Sequence, residues 1–190
     1  TALYQTGARS EIVSARDLDG DGHVDLVLTN DDYIGPGYGE VVSLLGRGDG
    51  TFSPPLGSPA GDSPRYPSLG DFNSDGVPDV LVTNSFETGL SIVLGDGHGT
   101  FGNRIAIPTS SVYSTVVGDF DADGRDDLMI AHSNTFEIRL GHGDGTFAPA
   151  VVFDVGQSRL TTSPALALDF NGDGRLDLAF TNFHSDAQGL

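Results

Sequence analysis

The chain has 190 residues, of which 27 are acidic and only nine are Lys or Arg, giving a formal charge of −18; it has no cysteine. So few cations exclude phosphate-backbone binding to nucleic acid and adsorption on anionic membranes. The lack of cysteine excludes disulfides, thiol catalysis and Cys-ligated zinc, and no run approaches the ~18 apolar residues of a membrane helix.

Self-similarity organises what remains. Four segments align: 17–30 (DLDGDGHVDLVLTN), 71–84 (DFNSDGVPDVLVTN), 119–132 (DFDADGRDDLMIAH) and 169–182 (DFNGDGRLDLAFTN). Their first aspartates lie 54, 48 and 50 residues apart. A second motif follows the first three, at 44–52 (LLGRGDGTF), 93–101 (VLGDGHGTF) and 139–147 (RLGHGDGTF). A period near fifty containing several short apolar runs and no helical spacing predicts one four-stranded sheet per repeat. Such a unit is the blade of an all-β propeller.

In chain order, residues 1–6 (TALYQT) read as an outer strand whose earlier companions are missing. Repeats are expected at about 7–60, 61–108 and 109–157, with an incomplete one at 158–190. Within the second, the predicted strands are 68–72, 80–84, 90–94 and 103–108. About four repeats in one chain predict part of a longer propeller, or self-association of two chains. Phe52, Phe101 and Phe147 are each expected to begin an outer strand and to pack between blades. Residues 31–40 (DDYIGPGYGE) lengthen the first repeat, and their Tyr33 and Tyr38 suit either a recognition surface or a solvated linker.

The chemistry lies in the acidic loops. Oxygen-bearing side chains occupy positions 1, 3, 5 and 9 of each. The sets are Asp17, Asp19, Asp21 and Asp25; Asp71, Asn73, Asp75 and Asp79; Asp119, Asp121, Asp123 and Asp127; and Asp169, Asn171, Asp173 and Asp177. Fourteen of the 27 acids fall at these positions. Ca²⁺ is a hard ion that takes six to eight oxygens, and alternate residues of a curled loop supply them. Gly22, Gly76, Gly124 and Gly174 at position 6 permit the reversal. Position 7 (His23, Val77, Arg125, Arg175) varies in type, as expected where only a carbonyl is offered to the ion. Position 12 is apolar (Leu28, Val82, Ile130, Phe180), which excludes an EF-hand with its closing Glu. The ninth-position Asp is expected to close the cage.

With four D-x-[DN]-x-D-G-x-x-D loops and three G-[DH]-G-x-F turns, the chain resembles the FG-GAP and VCBS family of propeller repeats, which includes the Ca²⁺-binding blades of integrin α-subunits. That resemblance implies loops joining the first two strands of each blade and holding about four Ca²⁺ per chain. No His pair has metal-ligand or acid–base spacing, and no Ser has a nucleophile context, so catalysis is not expected. The expected role is an extracellular recognition or adhesion module with a protein or glycan ligand and structural calcium. Two alternatives stay open: the scaffold of a polysaccharide-acting enzyme, and a self-assembling fragment.

Overall fold

The computed structural model describes residues 3–7, 10–31, 39–85, 89–155, 159–160, 165–179 and 182–183. The chain divides into two compact units, Thr1–Thr109 and Ser110–Leu190. Every regular element among the described residues is a strand.

Unit one holds two four-stranded antiparallel meanders. The first runs β1 (Ser10–Arg16), β2 (Asp25–Asp31), β3 (Gly39–Leu44) and β4 (Leu56–Gly61). The second runs β5 (Pro64–Gly70), β6 (Asp79–Asn84), β7 (Leu90–Gly95) and β8 (Phe101–Ile107). Unit two holds a third meander, β9 (Ser114–Gly118), β10 (Asp127–Ala131), β11 (Thr135–Arg139) and β12 (Val151–Asp154). Two short pairs follow it. β13 (Arg159–Leu160) joins β16 (Asn182–Phe183), and β14 (Leu166–Leu168) joins β15 (Asp177–Ala179). Repeated four-stranded antiparallel sheets of this kind are propeller-type blades.

Burial explains the sequence pattern. Central strands such as β6 and β10 are covered on both faces, so they read as continuous apolar runs rather than as alternation. In unit one, Leu18, Val27, Val41 and Ala60 of the first sheet and its loop share a cluster with Val80, Val82, Val93 and Phe101 of the second. Outer strands are wetter: Val151 and Val152 of β12 are exposed, while Phe153 stacks on Phe136 with centroids 4.7 Å apart.

The predicted strands of the second repeat differ from those observed at two starts. β5 begins at Pro64 rather than at residue 68, because a bulge between Arg65 and Ser68 carries the strand past Pro67. β8 begins at Phe101 rather than at 103; Asn103, at φ +44°, lies where the register shifts between Val93 and Leu94. Of the aromatic series, Phe101 does open an outer strand and is buried. Phe52 and Phe147 instead form isolated bridges to Gly46 and Gly141, upstream of β4 and β12.

Of the segment 1–6 expected as an outer strand, residues 1 and 2 lie outside the described residues, and residues 3–6 form no strand. They nevertheless occupy the place of an outer strand. The Tyr4 hydroxyl accepts the Phe52 N–H at 2.8 Å, as Ser58 Oγ of β4 accepts the Phe101 N–H at 2.9 Å. Tyr4 and Ser58 each precede the next acidic loop by thirteen residues. Gly7 and Gly61, at φ +105° and +107°, lie against Asn30 and Asn84, and a Cβ on either would come within 2.1 and 2.7 Å of the amide.

The Ser58 bond joins successive sheets through a buried backbone donor. Ser58→Ala leaves that N–H unsatisfied and is expected to destabilise unit one by about 1–3 kcal/mol, read as a lower midpoint in chemical denaturation.

Candidate metal centre

Each acidic loop is built by the same run of side-chain-to-backbone hydrogen bonds. The first aspartate is a hub. Asp17 accepts from the N–H groups of Gly20 and Gly22 at 2.8 and 2.9 Å. Asp71 accepts from Asp75 and Gly76 at 3.1 and 2.9 Å, and Asp119 from Asp123 and Gly124 at 3.0 and 2.9 Å. In the fourth loop Asp169 accepts from Gly172, Asp173 and Gly174. Position 3 then takes the N–H of position 5, and position 5 takes that of position 7: Asp21 accepts from His23 at 2.8 Å, Asp75 from Val77 at 2.8 Å, Asp123 from Arg125 and Asp173 from Arg175 at 2.9 Å.

Two backbone positions per loop are left-handed. Position 6 is always glycine, with φ between +82° and +85° in all four loops. Position 4 was not singled out from sequence, yet Gly20, Ser74, Ala122 and Gly172 all have φ between +57° and +79°. Ser74 and Ala122 accept a conformation that L-residues disfavour, so the loop geometry overrides local preference there. Comparing the copies at position 4, where two of four are glycine, could have revealed it.

The ninth aspartate does more than close a cage. Asp25, Asp79 and Asp127 are wholly buried. One carboxylate oxygen accepts the N–H of position 2, from Leu18, Phe72 and Phe120 at 2.7, 2.9 and 2.8 Å. The other accepts the N–H of the first glycine of the second motif, Gly46, Gly95 and Gly141, at 2.6, 2.8 and 2.7 Å. Those glycines have no room for a side chain: a Cβ would lie 2.2–2.3 Å from the carbonyl oxygen of Val24, Pro78 or Asp126 at position 8. Asp177 of the fourth loop is half-buried and accepts from Phe170 at 3.1 Å. These glycines escaped the sequence reading; their invariance beside a variable neighbour (Arg47, Asp96, His142) was the available signal.

The second motif also closes on itself. Asp49 and Asp144 accept the hydroxyls of Thr51 and Thr146 and then their backbone N–H groups, which holds both carboxyls below the ordinary range. In the middle repeat the acid moves two residues earlier, and Asp96 binds Thr100 instead.

Electrostatics separates exposed from buried carboxylates. Asp169 is solvated, and the N–H of Gly174, followed by those of neighbouring residues, lowers its pKa. Burial, aided by the charges of Asp75 and Asp71, pushes Asp79 up to about 6 against the opposing N–H groups of Gly95 and Phe72. Asp127 is raised for the same reason, burial first and then Asp121 and Asp123.

Among the described residues, two groups bring three acidic oxygens within 4.8 Å of one another: Asp17, Asp19 and Asp21, and Asp119, Asp121 and Asp127. Their donors are all hard carboxylate oxygens, a set that suits a hard cation. The proposed recognition tyrosines, Tyr33 and Tyr38, lie outside the described residues.

Two outcomes follow from this geometry. Gly95→Ala drives a methyl into the Pro78 carbonyl and is expected to lower the melting temperature by several degrees, whereas Gly102→Ala, with nothing within 4 Å, leaves it unchanged. Asp79 binds its proton more tightly folded than unfolded. In metal-free protein its contribution to stability is therefore present at low pH and is lost as pH rises through about 6. A cation held by this loop would compete with that proton. The stabilisation gained from the metal at the second loop is expected to shrink between pH 7 and pH 5, measured as paired melts with and without metal.

Comparison with known proteins agrees with the repeat. Residues 17–82, 71–130 and 119–180 each match the FG-GAP-like repeat, so the family's unit runs from one acidic loop through the next. No curated protein matches the chain. Among solved structures, the Tc holotoxin pore of Photorhabdus luminescens aligns with TM-score 0.57 and 24% identity over 87% of this chain and 8% of that one. A lectin of Agrocybe aegerita, described for its specific recognition of non-reducing terminal N-acetylglucosamine, aligns with TM-score 0.61 and 21% identity over 86% of this chain and 44% of the lectin. The chain thus spans less than half of either, and at these identities the likeness is one of fold. With three matches running from residue 17 to residue 180, the chain belongs to the FG-GAP-like repeat family.

Proposed function

We propose that this chain is a calcium-stabilised recognition module, non-enzymatic and extracellular, in which Ca²⁺ is structural and the ligand is a glycan. The observation that carries the calcium reading is the loop geometry. In each loop the first aspartate accepts backbone N–H groups on both oxygens and the third and fifth side chains accept one each, so the loops stand curled with their carboxylates gathered together. Asp17, Asp19, Asp21 and Asp25 would hold one ion, and the equivalent sets of the other repeats would hold theirs. Carboxylates crowded within 4.8 Å repel one another, and a divalent ion removes that repulsion. Binding free energy then becomes folding free energy.

The glycan reading draws support from the fold shared with the Agrocybe aegerita lectin. An extracellular setting fits the calcium, since modules there work with dissociation constants of about 10⁻⁴–10⁻³ M.

Removing calcium tests the first half. An ion at 100 times its Kd adds about 2.7 kcal/mol per site, so chelation is expected to lower the melting temperature by about 10 °C or more. An unchanged melt in verified metal-free protein would overturn it. In the same calcium-loaded samples, selective binding on a glycan array supports the ligand class, and a blank array with retained peptide binding would replace it.

A further inference from the structure

We propose that the four loops form two classes of calcium site, tight in the first and third and weak in the second and fourth, because position 3 alternates between Asp and Asn. This rests on the calcium reading above and deepens it. The residues are Asp19, Asn73, Asp121 and Asn171.

In all four loops Oδ1 of position 3 is already committed. It accepts the N–H of position 5, at 3.1 Å in the first three loops and 2.8 Å in the fourth. What is left differs in kind. Asp19 and Asp121 keep a second carboxylate oxygen, so one side chain both braces the loop and ligates. Asn73 and Asn171 have Nδ2 in that place, and it donates to the fifth-position carboxylate, reaching Asp75 Oδ2 at 2.8 Å and Asp173 Oδ2 at 3.3 Å. The amide therefore occupies an oxygen that the ion needs.

An ion entering the second or fourth loop must break that bond. It must then either share the single amide oxygen with the backbone N–H or turn the amide over. Turning it sets NH₂ against N–H and leaves a donor without an acceptor. Loops with Asn also carry one negative charge fewer, and Ca²⁺ affinity follows ligand charge. Among the described residues, the two groups with three acidic oxygens within 4.8 Å belong to the two Asp loops. In the third loop Arg125 Nη1 also reaches the fifth-position carboxylate, Asp123 Oδ2, at 3.3 Å, but that arm is half-exposed and gives way to an ion at little cost, whereas the Asn amide is fixed by the bond its own Oδ1 makes.

The lost hydrogen bond to a charged group, together with the missing charge, implies a difference of at least about tenfold in Kd. Each compact unit holds one loop of each class, the first and second in unit one and the third and fourth in unit two. As calcium falls, every unit would first lose its Asn loop while keeping its Asp loop.

Calorimetric titration of the whole chain with Ca²⁺ is expected to show two ions bound tightly and two at least about tenfold more weakly. Amide resonances of Gly22 and Gly124 should saturate before those of Gly76 and Gly174. The double variant Asn73→Asp, Asn171→Asp should merge the sites into one tight class. Its reciprocal, Asp19→Asn with Asp121→Asn, should merge them into one weak class, so either variant tests the idea if the other fails to fold. Four equivalent sites in the unsubstituted protein, or an order of filling that ignores these exchanges, would sink the proposal and leave the calcium reading standing. No calcium binding at all would overturn that reading itself.

Discussion

The buried carboxylate of the ninth loop residue is the constraint on which the repeat depends. Asp25, Asp79 and Asp127 sit at the start of the second strand, and each holds two backbone donors that are distant in sequence. One donor lies seven residues back, at the loop entrance; the other lies 14–21 residues ahead, in the glycine turn after the third strand. A single side chain thus fixes the loop between strands one and two against the turn between strands three and four. Burying a carboxylate is costly unless its lone pairs are used, and here two backbone N–H groups use them. The raised pKa of Asp79 is the residual cost of that burial.

Much of this was legible in the sequence, and the failures have physical causes. Asx turns are local, so the D-x-[DN]-x-D-G spacing announces the loop and its left-handed glycine directly. Central strands were legible because burial on both faces leaves an apolar run. The ends of β5 and β8 were not, since Pro67 and Asn103 belong to bulges, and a bulge is defined by its partner strand. The pin from Asp79 to Gly95 was hidden for the same reason. A clash between Gly95 and the Pro78 carbonyl exists only once two turns have met in space.

The junction between successive blades shows how repetition outlasts secondary structure. Tyr4 stands in for Ser58, and Gly7 for Gly61, at matching distances from the following loop. Residues 3–7 do this without belonging to a sheet. The Tyr4 hydroxyl accepting one N–H, the Tyr4 ring set edge-on to Phe52, and Gly7 lying against Asn30 station the segment. The ladder that turns such a segment into a strand is a separate contribution, made by β3 for β4.

The loops also divide labour within single side chains. A carboxylate has two oxygens. In the Asp loops the first and ninth aspartates commit both oxygens to backbone N–H groups, so they shape the loop from its two ends. At position 3 of these loops one oxygen folds the backbone while the other is left for a cation. Asparagine cannot divide its labour in this way. With one oxygen it can brace the loop well, and Asn73 does so at 3.1 Å, yet its other arm donates where a cation needs an acceptor. The amide that braces an Asn loop through its oxygen would thus make it a poorer host through its nitrogen.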